Sequence, residues 1–400
     1  LLYDIEMPLS KVLSSMEVTG FLVDRESIQQ YGAVLEEKIN SLVSEIYDLA
    51  GEEFNINSPK QLGTILFEKL RLPAKKKTKS GYSTNADVLE SLAPDYPIVS
   101  LILEYRTLAK LKSTYCDGLQ KCIAPDGRIH STLNQTETKT GRISSTEPNL
   151  QNIPVRTPVG RELRKFFIAK DGCVLVDADY SQIELRVLSD IANDETMISA
   201  FNNGDDIHTI TASQVFNMPV EAVTPLMRSR AKAVNFGIVY GIGAFSLAHD
   251  IGVTRAEADK YIKGYLHHFS GVDSYMKNVI ARAKEDGYVQ TLFKRRRYLP
   301  ELTASNAMIR NFGERVARNM PIQGTAADII KIAMVRVYDR LEKENLKAKL
   351  IMQIHDELIV EAPENEQEQV QKIVREEMEN ACKMKVKLTA DVHCGKSWYD

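Results

Sequence analysis

The sequence is poor in cysteine and tryptophan and contains no long hydrophobic segment. Five of the 400 residues are cysteine and one is tryptophan. The cysteines form no Cys-x-x-Cys pair, which argues against a zinc site and favours reduced thiols in the cytosol. No run of about 18 apolar residues occurs, so no transmembrane helix is predicted. The first residues, LLYDIEMPLS, lack the features of a signal peptide and an initiator methionine, which suggests a fragment or a processed product.

The overall charge gives no sign of a nucleic-acid partner, but the basic residues are clustered. The formal net charge is −3, and 44% of the residues are hydrophobic, enough for more than one domain. One basic cluster comprises Lys75, Lys76, Lys77 and Lys79, and another comprises residues 294–297, with the sequence KRRR. Either cluster could contact phosphates, which dominate affinity for DNA. Either could equally be a solvated loop.

One stretch joins a predicted core strand to a polar segment. Residues 173–186 read CVLVDADYSQIELR. Val174–Val176 suit a buried strand, and Asp177 and Asp179, two residues apart, would point to the same side of a sheet. A carboxylate at the end of a core strand is costly unless a positive charge compensates it. The alternative is that Asp179 caps a helix that begins at Tyr180.

A second acidic segment lies near the C-terminus, where residues 349–363 read KLIMQIHDELIVEAP. Two apolar strands, Leu350–Ile354 and Leu358–Val360, flank His355–Glu357 and predict a β-hairpin with two acids at its tip. An ordinary solvated turn fits equally well, because aspartate is common in turns. Two acid-bearing strand ends from distant parts of the chain nevertheless suggest a shared Mg²⁺ site. Two ions about 3.5–4 Å apart can activate an attacking oxygen and stabilise a leaving one.

A predicted helix at residues 228–241 carries a stripe of four side chains. Arg228, Lys232, Phe236 and Tyr240 are spaced four apart, so they share one helix face. The stripe spans about 18 Å at 1.5 Å per residue, roughly the length of an extended nucleoside triphosphate. The cations suit phosphates, and the aromatic rings suit a sugar and base. The alternative places the rings in a core, but a buried stripe would not begin with two cations.

These segments resemble the signature motifs of the family A DNA polymerases. The matching stretches are DYSQIELR at 179–186, RSRAKAVNFGIVYG at 228–241, HDE at 355–357, TGRISSTEPNLQNIPVR at 140–156 and NMPIQGTAAD at 319–328. The five motifs stand in the family's order, and the resemblance covers nearly all of the chain. Five long motifs in order are far more specific than a single glycine pattern.

The resemblance implies an α+β, helix-rich fold with the right-hand architecture of a polymerase. It assigns an antiparallel sheet to the palm and helices to the thumb and fingers. The implied divisions are palm (1–23), thumb (24–112), palm (113–190), fingers (191–318) and palm (319–400). Local patterns agree, with amphipathic helical spacing at 31–50, a helix start at Ser58-Pro59 and a last strand near 387–392.

The resemblance also implies template-directed DNA synthesis in replication and repair, by attack of the primer 3′-oxygen on the α-phosphorus of a dNTP with release of pyrophosphate. The expected partners are a primer–template duplex and dNTPs, bound by a monomer without membrane attachment in the bacterial cytoplasm, at the nucleoid. The expected cofactors are two Mg²⁺ ions, with Mn²⁺ as a substitute. Asp4-x-Glu6 is similar to the start of a proofreading exonuclease site, but no matching later acids follow. We therefore expect a surface pair there and no proofreading exonuclease.

The family's functional residues map onto the matching positions of this sequence. The implied catalytic residues are Asp179, Asp356 and Lys232, with Lys232 placed to protonate the leaving group. The implied metal ligands are Asp179, Asp356, the weaker ligand Glu357 and the backbone carbonyl of Tyr180. The implied dNTP-binding residues are Arg228, Lys232, Phe236, Tyr240, His208, Glu184 and Gln182, among which Glu184 and Phe236 would exclude a ribose 2′-hydroxyl. The implied DNA-binding residues are Arg142, Gln151, Asn152, Arg315, Asn319, Gln323 and His355.

Two other functions remain open at this stage. The first is an RNA polymerase of the related single-subunit type, against which Glu184 argues. The second is a catalytically silent DNA-binding or clamp-like subunit that keeps the fold. The presence of Asp179, Asp356, Arg228 and Lys232 argues against the second. A primer-extension assay with dNTPs and NTPs distinguishes all three.

Overall fold

A computed structural model describes residues 1–74, 77–78, 81–153 and 158–400. The predicted basic cluster at Lys75, Lys76 and Lys79 lies outside the described residues, and so does Arg156 of the TGRISS motif. The α-helices are α1 (Met7–Thr19), α2 (Arg25–Ala50), α3 (Pro59–Gly63), α4 (Ala86–Glu90), α5 (Pro97–Leu111), α6 (Gly118–Cys122), α7 (Pro158–Glu162), α8 (Ile183–Ala192), α9 (Glu195–Asn203), α10 (Ile207–Phe216), α11 (Pro225–Val239), α12 (Ala244–Ile251), α13 (Arg255–His268), α14 (Ser270–Asp286), α15 (Ala307–Lys343) and α16 (Gln367–Glu379). The strands are β1 (Phe21–Leu22), β2 (Lys77–Thr78), β3 (Gly81–Tyr82), β4 (Arg128–Ile129), β5 (Thr132–Asn134), β6 (Ser144–Thr146), β7 (Cys173–Tyr180), β8 (Tyr288–Gln290), β9 (Arg296–Tyr298), β10 (Lys349–Ile354), β11 (Glu357–Pro363) and β12 (Ala390–Gly395).

A four-stranded antiparallel sheet lies at the centre of the fold. Its strand order is β10-β11-β7-β12, so β7 is paired on both sides. The predicted α+β class and the predicted hairpin are confirmed, since β10 and β11 meet at a two-residue turn. The last strand begins three residues later than predicted, at Ala390 rather than Lys387. β7 is longer than its apolar run suggested, because the ladders on both sides continue to the end of the strand.

The alternative in which Asp179 caps a helix is wrong. Asp179 lies within β7, paired with Glu357 on one side and Asp391 on the other. Helix α8 begins only at Ile183, and its N-cap is Gln182 in a left-handed conformation with φ of 57°. The chain therefore turns sharply between the strand and the helix. This turn leaves the Asp179 side chain on the sheet rather than at a helix end.

The predicted helix over 31–50 is confirmed, and it starts earlier than predicted. α2 begins at Arg25 because the Asp24 side chain accepts a hydrogen bond from the Ser27 backbone N–H (3.0 Å). Within this helix Val34 is 46% exposed, whereas Ile28, which precedes the predicted start, is fully buried. The buried face of α2 includes Ile28, Gly32, Leu35, Leu42 and Ile46. The predicted cap by Ser58 at the start of α3 is confirmed.

The two faces of the sheet belong to two hydrophobic cores. Val174, Val176 and Ala178 of β7 belong to a core with residues of α1, α8, α15 and α16. Leu175 lies on the other face, in a core with residues of α2, α5 and the aromatic pair Phe167 and Trp398. Because side chains alternate along a strand, Asp177 and Asp179 lie on the same face as Leu175. The acidic residues therefore lie at the rim of the second core.

Helix α15 is 37 residues long and contains Pro321. The predicted boundary between fingers and palm at 318/319 falls inside this helix, and the one at 190/191 falls inside α8. These positions do not coincide with breaks in secondary structure, and the division into domains stays a prediction. No described helix combines the length and the apolar character needed to cross a bilayer.

The second basic cluster, residues 294–297, lies at the turn and the start of the second strand of the β8–β9 hairpin. The resemblance assigns this region to the helical fingers and predicts no hairpin there. Arg295 turns inward, where its guanidinium pairs with the fully buried Asp328 (2.6 Å) and with Glu6. Glu6 also accepts from the buried Lys331 (2.9 Å). The prediction of a surface pair at Asp4-x-Glu6 is therefore wrong for Glu6, and the phosphate contact predicted for Arg295 is replaced by an internal ion network.

Candidate active site

The sheet brings the two predicted acidic segments together. Glu357, at the start of β11, pairs with Asp179 of β7. The backbone N–H of Tyr180 donates to the carbonyl of Asp356 (3.1 Å). His355 has a positive φ of 54°, which closes the tight turn between β10 and β11. Backbone hydrogen bonds thus fix Asp179 and Asp356 as neighbours, although 176 residues of sequence separate them.

The carboxylates in this cluster raise one another's pKa values. Loss of solvent, together with the charges of Asp356, Glu357 and Asp391, raises the pKa of Asp179 to about 7. Burial and the nearby Glu357 raise the pKa of Asp177 to about 9. Burial and Glu357 also raise the pKa of Asp356. A cation bound between these groups would relieve the repulsion, since an opposite charge favours the ionised form.

The donor set fits Mg²⁺. Asp179 and Asp356 offer carboxylate oxygens, and Asp177 Oδ1 is buried without a hydrogen-bond partner in the described part of the chain. No three His, Cys, Asp or Glu side chains within the described ranges are grouped tightly enough to hold a metal by themselves. Mg²⁺ is usually bound by one or two carboxylates plus water and substrate phosphates, so Asp179 and Asp356 are the residues that would hold it.

Glu357, a predicted weaker ligand, has its carboxylate engaged elsewhere. Its Oε1 accepts a hydrogen bond from the indole N–H of Trp398, and its Oε2 lies 3.6 Å from Arg164 Nη2. The residue as a whole is 8% exposed. Its role as a metal ligand stays a prediction. In this arrangement its carboxylate contacts Trp398 and Arg164, and its negative charge affects the neighbouring carboxylates.

The predicted stripe lies on α11, which runs from Pro225 to Val239, and Tyr240 follows as its C-cap. Arg228 and Lys232 are exposed, and Phe236 is half-buried beside the His208 ring, at 5.9 Å between ring centres. Gly241 ends the stripe with a φ of +67°, and a side chain there would touch Arg315 at 3.3 Å. The chain can therefore turn tightly from α11 toward α12, close against α15, only with glycine or a strained residue at this point.

The two cations of the stripe have different surroundings. Arg228 Nε donates to Asp206 Oδ2 at 2.5 Å. Asp206 also caps α10 by accepting from the backbone N–H of His208 (3.1 Å), and its pKa is lowered to about 2 despite partial burial, because Arg228 and Thr209 bond its carboxylate. For Lys232, no carboxylate lies within ion-pair distance among the residues that the structure describes. Lys232 is thus the uncompensated cation of the pair.

His208, predicted to bind phosphates, is a buried neutral imidazole. Burial lowers the pKa of His208 to about 4, and the ring is 2% exposed. Asn235 Nδ2 donates to Nδ1 (3.0 Å), so the ring proton lies on Nε2. Nε2 is then a neutral hydrogen-bond donor, which suits a phosphate oxygen without adding charge.

Glu184 connects three of the predicted site residues. Its Oε1 accepts from Arg142 Nη2 (2.5 Å), and its Oε2 accepts from Tyr240 Oη (3.0 Å). Burial raises the pKa of Glu184, and Arg142 and Tyr240 oppose that rise. The same contact and burial raise the pKa of Tyr240 to about 12. Gln182, two residues before Glu184, has a buried Oε1 without a hydrogen-bond partner in the described ranges.

The predicted DNA-binding residues form two groups. Arg315, Asn319 and Gln323 are four apart on α15 and therefore share one face; Arg315 is exposed and Asn319 Oδ1 is buried without a partner in the described part of the chain. Gln151 lies beside the β10–β11 hairpin, where its Nε2 donates to the Gln353 carbonyl (3.3 Å). Asn152 and His355 are exposed near the same hairpin. Arg142 is the exception, because its guanidinium is paired with Glu184.

Comparison with known proteins identifies the family. The model of DNA polymerase family A matches residues 25–400. The chain belongs to DNA polymerase family A. It is 54% identical over 402 residues to DNA polymerase I of Geobacillus stearothermophilus, and 53% identical over 398 residues to DNA polymerase I of Caldicellulosiruptor bescii. These alignments cover 100% and 99% of this chain but only 46% and 47% of the relatives, so this family A chain spans about half of their length.

A solved structure supports the family and the fold. The POL domain of Pol1 from M. smegmatis, in complex with DNA primer-template and dNTP, superposes on this family A chain with a TM-score of 0.94 and 43% identity. The match covers 99% of this chain and 70% of that one. The helix-rich right-hand polymerase architecture predicted from the sequence is confirmed.

Sequence reasoning missed three residues that shape the family A site. Asp206 holds Arg228, and the only signal was an acid two positions before His208, which is typical of a helix N-cap. Arg164 and Trp398 hold Glu357 and lie 193 and 41 residues from it in sequence. No local pattern connects these residues, because a β-sheet face and a C-terminal segment bring them together.

Proposed function

We propose that this chain extends a DNA primer on a template strand, adding dNTPs and releasing pyrophosphate. The observation that carries the proposal is the position of Asp356, in the β10–β11 turn, beside Asp179 near the end of β7, fixed by the hydrogen bond from the Tyr180 N–H to the Asp356 carbonyl and by the pairing of Glu357 with Asp179. The stripe of α11 and Glu184 belongs to the same site through the bond from Tyr240 to Glu184. A chain with these features contains both a cation-binding centre and a nucleotide-sized surface.

We further propose that Asp179, Asp356 and the backbone carbonyl of Tyr180 hold two Mg²⁺ ions, for which Mn²⁺ can substitute, with Glu357 as an accessory group. When bound, the ions would acidify the primer 3′-hydroxyl and neutralise the triphosphate charge. The protein's task is then mostly positioning and electrostatics, as in other phosphoryl transfers.

The residues of α10 and α11 have separate tasks toward the dNTP. Arg228 forks onto phosphate oxygens, and His208 donates one neutral hydrogen bond from Nε2. Lys232, the uncompensated cation, stabilises the charge that builds on the leaving pyrophosphate and gives it a proton. Phe236 and Tyr240 lie farther along α11, where a sugar and base would stack.

Glu184 is the residue that discriminates between deoxyribose and ribose. Arg142 and Tyr240 occupy its two carboxylate oxygens, so the carboxylate cannot easily turn to accept a ribose hydroxyl. A ribonucleotide would have to displace these groups or bury its 2′-hydroxyl without a partner.

The contacts with DNA are proposed for two groups of residues. Arg315, Asn319 and Gln323 are proposed to contact the minor-groove edges of the nascent pair, where acceptors are common to all correct pairs. Gln151, Asn152 and His355 are proposed to contact the strands beside the β10–β11 hairpin.

The cellular setting is proposed from the same family membership. The relatives named above are bacterial DNA polymerase I proteins, so we infer action in replication and repair in the bacterial cytoplasm, as a monomer on chromosomal DNA.

A primer-extension assay tests the function directly. The chain is given a labelled primer–template, Mg²⁺ and either dNTPs or NTPs. Template-directed extension by dNTPs, with far less extension by NTPs, is the expected result. Preference for NTPs would favour an RNA polymerase, and tight duplex binding without extension would favour a silent DNA-binding subunit.

A further inference from the structure

The chain's single tryptophan is held in a fixed position beside the acidic cluster. Trp398 is 4% exposed and lies just after β12. Its backbone N–H donates to the Phe167 carbonyl (2.9 Å), and Ser397 pairs antiparallel with Ile168. The Phe167 ring packs edge-on against the indole at 5.6 Å. Backbone bonds and ring packing together therefore fix the direction of the indole N–H.

The indole and a guanidinium grip one carboxylate from two sides. Trp398 Nε1 donates to Glu357 Oε1. The Arg164 guanidinium lies over the Trp398 ring, 4.2 Å from its centre, and its Nη2 is 3.6 Å from Glu357 Oε2. The side chains of Arg164 and Glu357 are only 20% and 11% exposed. Each of the three groups thus limits the movement of the other two.

This contact reaches the proposed catalytic residues through the backbone. Glu357 follows Asp356 directly and pairs with Asp179 across the sheet. A fixed Glu357 side chain therefore limits how far the hairpin tip can shift relative to β7. Arg164 also supplies a positive charge that opposes the mutual repulsion of Asp177 and Asp179.

Arg164 is poorly explained as a purely stabilising residue. Its Nε is buried without a hydrogen-bond partner among the described residues, and an unmade bond of a buried donor costs free energy. A buried ion pair with an unsatisfied group is weak support for folding, and apolar replacements are often as stable. A charge at this point is better explained by the carboxylates beside it.

We propose that Trp398 and Arg164 are positioning residues, which hold the Glu357 carboxylate and through it hold Asp356 beside Asp179. The proposal rests on the proposed function, because the benefit of a fixed Asp356 is catalytic. It assigns the C-terminal segment a part in the active site, although that segment contributes no group to the reacting atoms.

The first test is steady-state primer extension by four variants of the whole chain. Trp398→Phe keeps a ring but removes the N–H, and Arg164→Gln removes the charge. Trp398→Phe is expected to lower kcat about tenfold to a hundredfold, the effect of losing a hydrogen bond to a charged group. Arg164→Gln removes an ion pair at 3.6 Å rather than a hydrogen bond, and it is expected to lower kcat by a similar factor because Glu357 is left without its cation. In both variants KM for dNTP should change less than about twofold. Arg164→Lys restores the charge and should recover part of kcat. Lys165→Gln is the matched control.

Lys165 is a close control because it is the adjacent residue and makes a similar contact. Its ammonium lies 4.5 Å from the ring centre of Tyr399, the residue that follows Trp398. Its carboxylate partner, however, is Glu162 (2.7 Å), which is not a residue of the site. Lys165→Gln is expected to keep kcat within about twofold. Thermal unfolding of every variant separates a local effect from a loss of fold, and Arg164→Gln replaces Trp398→Phe if the latter unfolds.

The second readout needs no catalysis. Terbium alone is added to the protein without DNA or dNTP, and luminescence sensitised by Trp398 reports its binding. Arg164→Gln should bind terbium more tightly, since a cation next to the carboxylates is gone, while its kcat falls. A variant that is merely misfolded would lose both.

Three results would overturn the proposal. The first is a kcat within twofold of wild type for both Trp398→Phe and Arg164→Gln in folded protein. The second is an equal loss in Lys165→Gln, and the third is terbium affinity that Arg164→Gln leaves unchanged. If the wild-type chain extends no primer, the proposed function fails separately, and the terbium comparison still decides whether Arg164 acts on the carboxylates.

Discussion

The carboxylate side and the nucleotide side of the site are built in different ways. Asp179 and Asp356 belong to the central sheet, where backbone hydrogen bonds on both sides of β7 fix their positions. Arg228 stands on the surface of α11 with 47% of its side chain exposed, and its carboxylate contact is Asp206, itself 36% exposed. One side is held by the fold, and the other by an exposed ion pair.

This difference follows from what each side must do. Groups that position reacting atoms lose activity when they move by an ångström, so a backbone ladder suits them. Groups that receive a triphosphate must exchange one partner for another. An exposed ion pair contributes about 1 kcal/mol or less, so a phosphate can displace Asp206 at little cost. The comparison predicts severe, all-or-none losses on the sheet side and graded effects on α11.

The largest effect is expected on the sheet. Asp179→Ala or Asp356→Ala should lower kcat by about a thousandfold or more, since each removes a proposed Mg²⁺ ligand and mutagenesis of single groups that stabilise transition-state charge costs that much. Duplex binding should remain, and the metal-free protein should become more stable because one of several repelling carboxylates is gone. Single-turnover extension, gel-shift binding and thermal unfolding measure the three quantities.

Asp391→Asn is the matched control for the sheet side. Asp391 pairs with Asp179 across β7 but is exposed and outside the proposed ligand set. It should keep most of the activity. Near-normal turnover of Asp179→Ala or Asp356→Ala would remove both residues from the metal site.

The second effect in size concerns Lys232. Lys232→Ala should lower kcat by about a hundredfold to ten-thousandfold, the usual range for a lost general acid, with a smaller rise in KM for dNTP. Lys263→Ala on α13, whose side chain is 76% exposed and pairs with Asp259, should change neither value. Equal losses in kcat and in affinity would instead make Lys232 a simple phosphate anchor. Pre-steady-state kinetics at saturating dNTP separates the two roles.

The sequence predicted the sheet side well and the α11 side less completely, for a physical reason. The acid-bearing strand and the hairpin could be predicted from local patterns, namely the alternation of side chains along a strand and an acidic turn between two apolar segments. The structure confirms these elements. The helical spacing of Arg228, Lys232, Phe236 and Tyr240 was also readable. The side-chain partners that come from other elements could not be predicted in this way. Asp206, for example, contacts Arg228 from the loop before α10.

Errors in the prediction arose where tertiary pairing overrode a local signal. The polarity of Asp177 and Asp179 suggested that the strand ended, yet two neighbouring strands extend β7 to Tyr180. Arg295 belonged to a basic run that suggested a surface, yet Asp328 and Glu6 draw it inward. The local sequence around Arg295 gives no sign of Asp328 or Glu6, because these partners lie far away in the chain.

The third effect concerns sugar choice. Glu184→Ala should raise the ratio of kcat/KM for rNTP to that for dNTP about tenfold to a hundredfold, because the space beside the 2′ carbon opens and an unpaired hydroxyl no longer costs about 1–3 kcal/mol. Some dNTP activity should survive. Tyr240→Phe keeps the ring and removes only the bond to Glu184 Oε2 (3.0 Å), so its ratio should rise less. An unchanged ratio in Glu184→Ala would mean that Glu184 is not the gate.

The fourth effect is a pH dependence of stability that comes from His208. Its folded pKa of about 4 lies below the usual 6.5, so the unfolded chain binds the proton first as pH falls. The contribution of His208 to stability is therefore greatest above about pH 6.5 and should decrease by about 1 kcal/mol between about pH 7 and 5.5. Urea unfolding of wild type and His208→Gln should reveal it as a difference, with wild type losing about 1 kcal/mol relative to His208→Gln over this range. His249→Gln, with an exposed ring, should leave it in place; an identical slope in all three would contradict the assignment.

The smallest effect bears most directly on the comparison. Asp206→Asn keeps an oxygen to cap α10 but removes the charge that holds Arg228. If Asp206 is only a partner that the triphosphate replaces, its removal eliminates a competitor, and KM for dNTP should fall about one-and-a-half- to fivefold, the equivalent of about 0.2–1 kcal/mol. The fall should shrink at high salt, because exposed charges are screened.

Two further variants serve as controls for this prediction. Arg228→Ala should change KM by far more, in the direction of a rise. The double variant should match Arg228→Ala, since the two residues act through one contact. A rise in KM for Asp206→Asn would show instead that Asp206 aims the guanidinium, and that the α11 side is as rigidly preorganised as the sheet.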